Sequence, residues 1–338
     1  MRRPRYPGRH PRAFHHKYKE LQPERYAGEV AKVVEAGKTP AGMHRPVMVD
    51  EILAALRPRP GELAVDCTLG YGGHARALLA RVVPGGRLIG LDADPVELPR
   101  TAARLRADGF GDHVFTAHRT NFAGLPAVLA GDGLAGADLI VADLGVSSMQ
   151  LDDPSRGFTF KQEAPLDMRM NPARGVPASA VLSRIGVADL AALLEANADE
   201  PEAAAIAARV AGRTWPTTRQ LAEAVRAAVV EARPRAGSDD LERSVRRVFQ
   251  ALRIAVNDEF GALDALLRAL PDCLAPGGRV AVLTFHSGED RRVKRAFQAG
   301  VRAGRYVAAA DGVVRASPAE VRANPRAASA KLRWARKG

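Results

Sequence analysis

Two cysteines in 338 residues, Cys67 and Cys273, are too few for a disulfide framework or a four-cysteine zinc site. No cluster of His, Cys or carboxylates has metal-ligand spacing, so no structural or catalytic metal is expected. Apolar runs of membrane-spanning length are missing, as is the apolar stretch of a signal peptide, which leads to the expectation of a soluble, cytoplasmic chain without a membrane partner. No repeat of solenoid length is visible. Acids are missing from both ends. Met1 to Lys19 holds seven Lys or Arg, and the stretch after Glu320 holds Arg322, Arg326, Lys331, Arg333, Arg336 and Lys337. Basic ends of this kind either grip phosphates without reading sequence or are simply solvated.

What is present is an ordinary globular balance, 46% hydrophobic and 26% charged, with a formal charge of +12. That surplus favours polyanionic partners, nucleic acid first among them. Residues 1–41 are basic and interrupted by Pro4, Pro7, Pro11 and Pro23, and read as a disordered arm. Beyond them, strands alternate with helices. Leu63–Asp66 is followed by a helix at His74–Val82. Leu88–Leu91 ends in Asp92 and is followed by a helix from Pro95 to about Arg106. Val114-Phe115 and Leu139–Ala142 are further strands, the last ending in Asp143. The alternation implies a parallel sheet covered on both faces. From about Ser155 to Ser244 strands are missing, and Ala- and Leu-rich helices are expected at 187–196, 202–211 and 219–232, with helix resuming from Val245 to Leu270. After a turn at Pro276-Gly-Gly278, Val280–Phe285 reads as a buried strand. The expected architecture is therefore α/β: a Rossmann-like sheet at 42–150 and 245–338, with an all-helical insertion at 151–244 that would recognise the substrate.

The turn after the first strand, Asp66-Cys-Thr-Leu-Gly70-Tyr-Gly72-Gly73-His74-Ala75, suits a nucleotide-like ligand, and Asp92 can accept both hydroxyls of an adenosine ribose. Gly70, Gly72 and Ala75 also satisfy the dinucleotide fingerprint, which keeps a nicotinamide-dependent oxidoreductase open. Charge favours a different ligand. Asp66 would repel a pyrophosphate, whereas Asp66, Asp92 and Asp143 together attract the sulfonium and ammonium of S-adenosylmethionine. A Tyr-x-x-x-Lys dyad, which would support one class of oxidoreductase, is absent. A non-catalytic RNA-binding assembly factor is the third reading, and the intact turn and its acids argue against it.

Eight blocks in order carry a resemblance. They begin with His44-Arg-Pro-Val47, the Asp66–His74 turn and Asp143-Leu-Gly-Val-Ser-Ser148. Gln150–Asp153, Arg156-Gly-Phe158 and Leu166-Asp-Met-Arg-Met170 follow, then Phe249–Asn257 and Phe285-His-Ser287. Together they resemble the bacterial small-subunit ribosomal RNA (cytosine-N4)-methyltransferases of the RsmH or MraW type, over about residues 44–338. The resemblance implies cofactor contacts at Gly72, Gly73, His74, Asp92, Phe122, Asp143 and Gln150. It also implies methylation of a cytidine amine in 16S ribosomal RNA at the decoding centre, on naked RNA or on the assembled small subunit; monomer and homodimer both remain open. The sequence departs from the pattern at Met149, at Gly288, at Ala198-Asp-Glu-Pro201 and at Arg243-Ser-Val-Arg-Arg247. A divergent relative acting on another RNA stays open for that reason.

Asp143, helped by the backbone carbonyls of Leu144–Val146, is the candidate acceptor for the protons of the attacking amine, with cofactor binding alone as its rival role. His286 is a candidate to orient the base or take a proton, or else a turn cap. Ser147, Ser148 and Ser287 are candidates for base or backbone contact, or for turn chemistry. Phe158, Phe160 and Tyr71 are candidate stacking groups, and Arg156, Arg169 and Arg174 candidate phosphate ligands. The Leu166–Met170 block either serves the substrate or packs the insertion onto the core.

Overall fold

The computed structural model describes residues 46–146, 151 and 153–338, so the expected arm at 1–41 lies outside the described residues. The first four strands, β1 (Leu63–Asp66), β2 (Arg87–Asp92), β3 (Phe115–Arg119) and β4 (Ala137–Asp143), are parallel, and β5 (Leu274–Thr284) joins β4 in the same sense. Two strands not expected from the sequence, β6 (Ala308–Ala309) and β7 (Lys331–Arg336), complete a seven-stranded sheet of order β3-β2-β1-β4-β5-β7-β6. Because β7 runs antiparallel to β5 and β6, the sheet is mixed rather than wholly parallel. The expected sharp turn at Pro276–Gly278 is instead an irregularity within β5, where the register against β4 jumps between Ala137 and Leu139.

Burial on both faces explains why these strands read as continuous apolar runs. Side chains alternate across the pleat. Ala64, Leu88, Leu139, Val141, Ala281 and Leu283 face one core, shared with α1 (Val49–Leu56), α2 (Gly73–Val82) and α3 (Glu97–Ala107). Val65, Ile89, Ile140, Ala142, Val280 and Val282 face the other. That second core is closed by α4 (Leu125–Gly131), α10 (Glu259–Cys273) and α11 (Ser287–Arg302).

Between β4 and α10 lie α5 (Ala178–Arg184), α6 (Val187–Ala198), α7 (Ala203–Val210), α8 (Thr218–Ala232) and α9 (Ser238–Asn257), which surround a third core of their own. Val245, Val248 and Leu252 recur at helical spacing on α9 and face that core. The single helix expected over Val245–Leu270 is two, because Asp258 turns left-handed (φ 47°, ψ 44°) between α9 and α10. Aspartate tolerates that conformation better than most residues. The break lets α9 serve the helical core while α10 covers the sheet. The short helix α12 (Pro318–Ala323) precedes β7 and reaches back to α1: the Met48 N–H donates to Glu320 Oε1 at 2.6 Å.

The basic C-terminal stretch is not a solvated tail. Arg333 in β7 is buried and its Nε donates to Asp290 Oδ1 at 2.7 Å, with Lys331 Nζ 3.6 Å from the same carboxylate. Lys337 Nζ donates to the Leu274 carbonyl. Its alternating apolar residues, Leu332 and Ala335, carry it into the sheet, and the charges are matched on the way.

Candidate functional site

The carboxyl ends of β1, β2 and β4 carry Asp66, Asp92 and Asp143. Between β1 and β4 the strand order reverses direction, which is where open α/β sheets form their ligand crevice. Register keeps the acids at one edge: Asp66 stands opposite Gly90 and Val141.

The turn between β1 and α2 is built by its own side chains. Asp66 Oδ1 accepts from the Thr68 N–H at 3.1 Å, and Thr68 Oγ1 accepts from the Asp143 N–H at 2.6 Å. Thr68 thus joins two of the acids, a role sequence inspection missed; the only signal was a hydroxyl two residues after a strand-end acid. Asp92 Oδ2 accepts from the Gly70 N–H at 2.7 Å and its Oδ1 from the Asp94 N–H at 2.8 Å. Each oxygen retains a second lone pair for a ligand hydroxyl. Glycine at 72 and 73 answers to packing as well as to any ligand. Gly72 has φ +80° and a Cβ there would lie 2.9 Å from Thr101 Cγ2, while one at Gly73 would lie 2.7 Å from Pro46 Cγ.

Charge in this crevice is under-compensated. Asp66 Oδ2 and Asp143 Oδ1 are buried without a hydrogen-bond partner among the described residues. His74, 6% exposed on the first turn of α2, holds its Nε2 3.3 Å from Asp143 Oδ2, a charge contact not aligned as a hydrogen bond. Burial raises the Asp66 carboxyl to about 6, against the opposing pull of His74 and the Thr68 N–H. Burial also pushes Asp92 up, offset in part by its two backbone donors. For His74 burial opposes the charged form, but Asp143, Asp66 and Glu320 outweigh it and raise its affinity for a proton. Two orphaned carboxylate oxygens fit the sulfonium and ammonium of S-adenosylmethionine, and do not fit a pyrophosphate. Among the described residues, no group of three or more His, Cys, Asp or Glu is placed to hold a metal ion.

The other expected site residues divide. Phe122 opens the short 3-10 turn after β3 and packs, half-buried, on the second sheet core. Ser147, Ser148 and Gln150 lie outside the described residues. Arg156 is turned inward: Nη1 donates to the buried Asp94 at 3.0 Å and Nη2 to the Met170 carbonyl at 2.7 Å. It ties the segment after β4 to the segment after β2. Arg169 is held by Asp167 through two contacts of 2.8 and 2.7 Å, which keep the Asp167 carboxyl below its usual range. Of the candidate stacking groups, Phe158 is buried in the helical core and offers no face to a base, while Phe160, partly buried, packs edge-on against Phe249. Tyr71 carries the Arg104 guanidinium 3.6 Å over its ring. Leu166 and Met168 are buried, and Asn257 clamps the Leu166–Met170 block by accepting from the Met170 N–H and donating to the Met168 carbonyl. Leu166 and Met168 thus pack within the helical core.

His286 leaves β5 three residues after Leu283, which is paired with Asp143. Its Nε2 lies 3.1 Å from Glu289 Oε1, and its ring tilts against Phe260 at 5.8 Å. Glu289 is buried and also accepts from the Phe285 N–H at 2.8 Å. Burial pushes the Glu289 carboxyl up, but His286, Arg253 and the Phe285 N–H outweigh it and hold it low. Glu289 was missed from the sequence, although its spacing of three from His286 at a helix start was a usable signal. Ser287 Oγ donates to Asp199 at 3.0 Å. Two of the divergent segments also meet: Ser244 Oγ donates to the buried Glu200 at 2.9 Å. At Gly288, a Cβ would lie 2.7 Å from Phe260 Cζ.

Comparison with known proteins adds one family match and three similar proteins. The model of the MraW methylase family matches residues 41–338. A protein of Alkaliphilus metalliredigens named ribosomal RNA small subunit methyltransferase H 2 is 48% identical, over 99% of this chain and 97% of its own. Similar proteins are ribosomal RNA small subunit methyltransferase H 1 of Lachnoclostridium phytofermentans, 45% identical over 99% and 92%, and methyltransferase H of Halorhodospira halophila, 44% identical over 91% and 98%.

Proposed function

The chain belongs to the MraW methylase family, and on that premise we propose that it methylates the N4 amine of a cytidine in small-subunit ribosomal RNA. The observation that carries this reading is the pair of orphaned oxygens, Asp66 Oδ2 and Asp143 Oδ1, in a crevice that also holds Asp92. S-adenosylmethionine, when bound, supplies a methyl group on a cationic sulfur. Asp92 accepts the ribose hydroxyls, Asp66 faces the cationic amino-acid part, and Gly72, Gly73, His74 and Phe122 complete the cofactor side, with Gln150 added by resemblance.

The chemical difficulty lies in the acceptor, since a cytosine amine shares its lone pair with the ring. Asp143 Oδ1 accepts from one amine hydrogen, which favours the bent geometry in which the lone pair is available, and takes up positive charge as it develops. His74 fixes the other oxygen of that carboxylate. The base must leave its stack to reach the crevice. His286, held by Glu289, orients the base from the β5 side. The helical segment 151–244 recognises the RNA. We place the enzyme in the cytoplasm with the small subunit; no described helix is long and apolar enough to cross a membrane.

The decisive experiment is methyl transfer from labelled S-adenosylmethionine to purified small ribosomal subunits, with nucleoside analysis. Label in N4-methylcytidine is expected. Label in another nucleoside overturns the assignment of the base, and no label despite cofactor binding overturns catalysis on this substrate.

Cofactor affinity should depend on pH. The cationic ligand favours ionised Asp66 and neutral His74, so both groups make binding tighten as pH rises. With Asp66 near 6, affinity should gain roughly tenfold between pH 5 and 7. Calorimetric titration of S-adenosylmethionine checks this, and Asp66→Asn should flatten the profile. A level profile in the native protein contradicts the charge argument. In the free protein the sign is opposite. A raised carboxyl favours the fold fully below about 3.8, and that contribution is lost as pH rises through about 6.

A further inference from the structure

Outside the crevice, α10 and α11 enclose a groove of about 600 Å³ lined by Asp264, Leu267, Arg268, Arg291, Arg292, Arg295 and Ala296. Four guanidinium groups share it with one carboxylate. Two of the four are already matched. Arg291 donates to Asp199 at 3.0–3.1 Å, and Arg292 stands 3.4 Å from Asp264 while stacking 3.7 Å over the Phe260 ring. Arg268 and Arg295, both exposed, have no carboxylate partner among the described residues. Two unmatched cations are thus brought to one concave surface from two different helices.

The charge of α11 is sorted, not merely basic. Its acids, Glu289 and Asp290, are turned inward and consumed by His286 with the Phe285 N–H, and by Arg333 with Lys331. Its bases Arg291, Lys294 and Arg295 are exposed. Arg295 lies nine residues after His286, about 13 Å along the helix. The groove therefore lies along the same helix that begins beside the crevice at His286.

We propose that this groove binds the phosphate backbone of the RNA next to the target nucleotide, with Arg268 and Arg295 as its phosphate ligands. The proposal rests on the reading of the chain as an RNA methyltransferase. The planar fork of arginine matches two phosphate oxygens, and the matched pair Arg291 and Arg292 stays fixed as the wall. Such contacts supply affinity and position without selecting a sequence.

The test is the double variant Arg268→Ala/Arg295→Ala of the full chain. RNA affinity is measured by filter binding over a salt series, using a small-subunit RNA fragment that the native enzyme methylates. Loss of two phosphate contacts should weaken binding about tenfold or more near 0.1 M salt. It should also lower the slope of log K against log salt by about 1.4. Affinity for S-adenosylmethionine and the melting temperature should be unchanged. A control that removes equal charge elsewhere, Arg59→Ala/Arg81→Ala, at two exposed positions outside the helical segment, should leave the slope near native. An unchanged slope in the groove variant, or an equal drop in the control, overturns the groove while leaving the methyltransferase reading intact. Failure of the native enzyme to bind or methylate any small-subunit RNA overturns both.

Discussion

Asp143→Asn should lower kcat by about 10²–10³-fold while cofactor affinity falls by much less, about tenfold at most. Asp143 Oδ2 stands beside His74 and Oδ1 is buried with no hydrogen-bond partner among the described residues, so one oxygen fixes the side chain and the other is left for the amine. Asparagine keeps the shape but loses the negative charge that offsets positive charge on the nitrogen as the new bond forms. The same loss unbalances His74, whose raised proton affinity depends most on Asp143 among its charged neighbours. Single-turnover methylation, with cofactor affinity measured separately, separates the two roles. Near-normal turnover with weakened cofactor binding would assign Asp143 to the cofactor alone.

Arg253→Leu should cost about 3–5 kcal/mol of stability. Arg253 reaches Glu259 through two contacts, 2.8 and 2.9 Å, at the point where α9 hands over to α10. Burial disfavours its charge, but Glu259 and Glu289 more than restore it. Leucine in its place leaves Glu259 buried with the Glu289 carboxylate nearby and no cation for either except His286. Denaturant unfolding of the variant reads the loss directly. The double replacement Arg253→Leu/Glu259→Leu should recover much of it, because it removes the stranded charge with the pair. A single variant as stable as the native chain would mean that water reaches this junction and that the charges are not buried in solution.

This junction also bears on catalysis. Glu289 is held between Arg253's field and the His286 ring, so damage at Arg253 should propagate to the placement of His286 beside the base. The Asp199 contacts to Ser287 and Arg291 tie the corner after α6 to the same helix start. Asp199, in one of the segments that depart from the family pattern, thus touches the helix start beside the crevice.

Local sequence determined a good deal. Strands β1, β2 and β4 were legible because each is an apolar run ended by an acid, and burial on both faces demands such runs. The acids themselves were legible for the same reason: an aspartate closing a buried strand is conspicuous, and three of them limit the ligand to a cation. Helices α6, α7 and α8 were marked by Ala and Leu between prolines. The resemblance blocks then identified the chemistry, which spacing alone left open between two cofactors.

Tertiary structure decided what depended on partners remote in the chain. The basic C-terminal stretch became β7 because Asp290 and the free edge of β5 await it, and neither is visible from residues 331–336. Arg156, legible only as a cation, was committed inward by Asp94, while Arg169 was paired near the surface with Asp167. Phe158 was taken into the helical core and Phe160 packed against it, with no local mark separating a stacking ring from a packing one. The same holds for the groove between α10 and α11. A helix periodicity places Arg291 and Arg295 on one face, but only the packing of two helices shows which cations are matched and which are left facing solvent. Composition and periodicity report what a residue can do; whether it is spent inside the fold is settled by which oppositely charged or apolar group the chain brings to it.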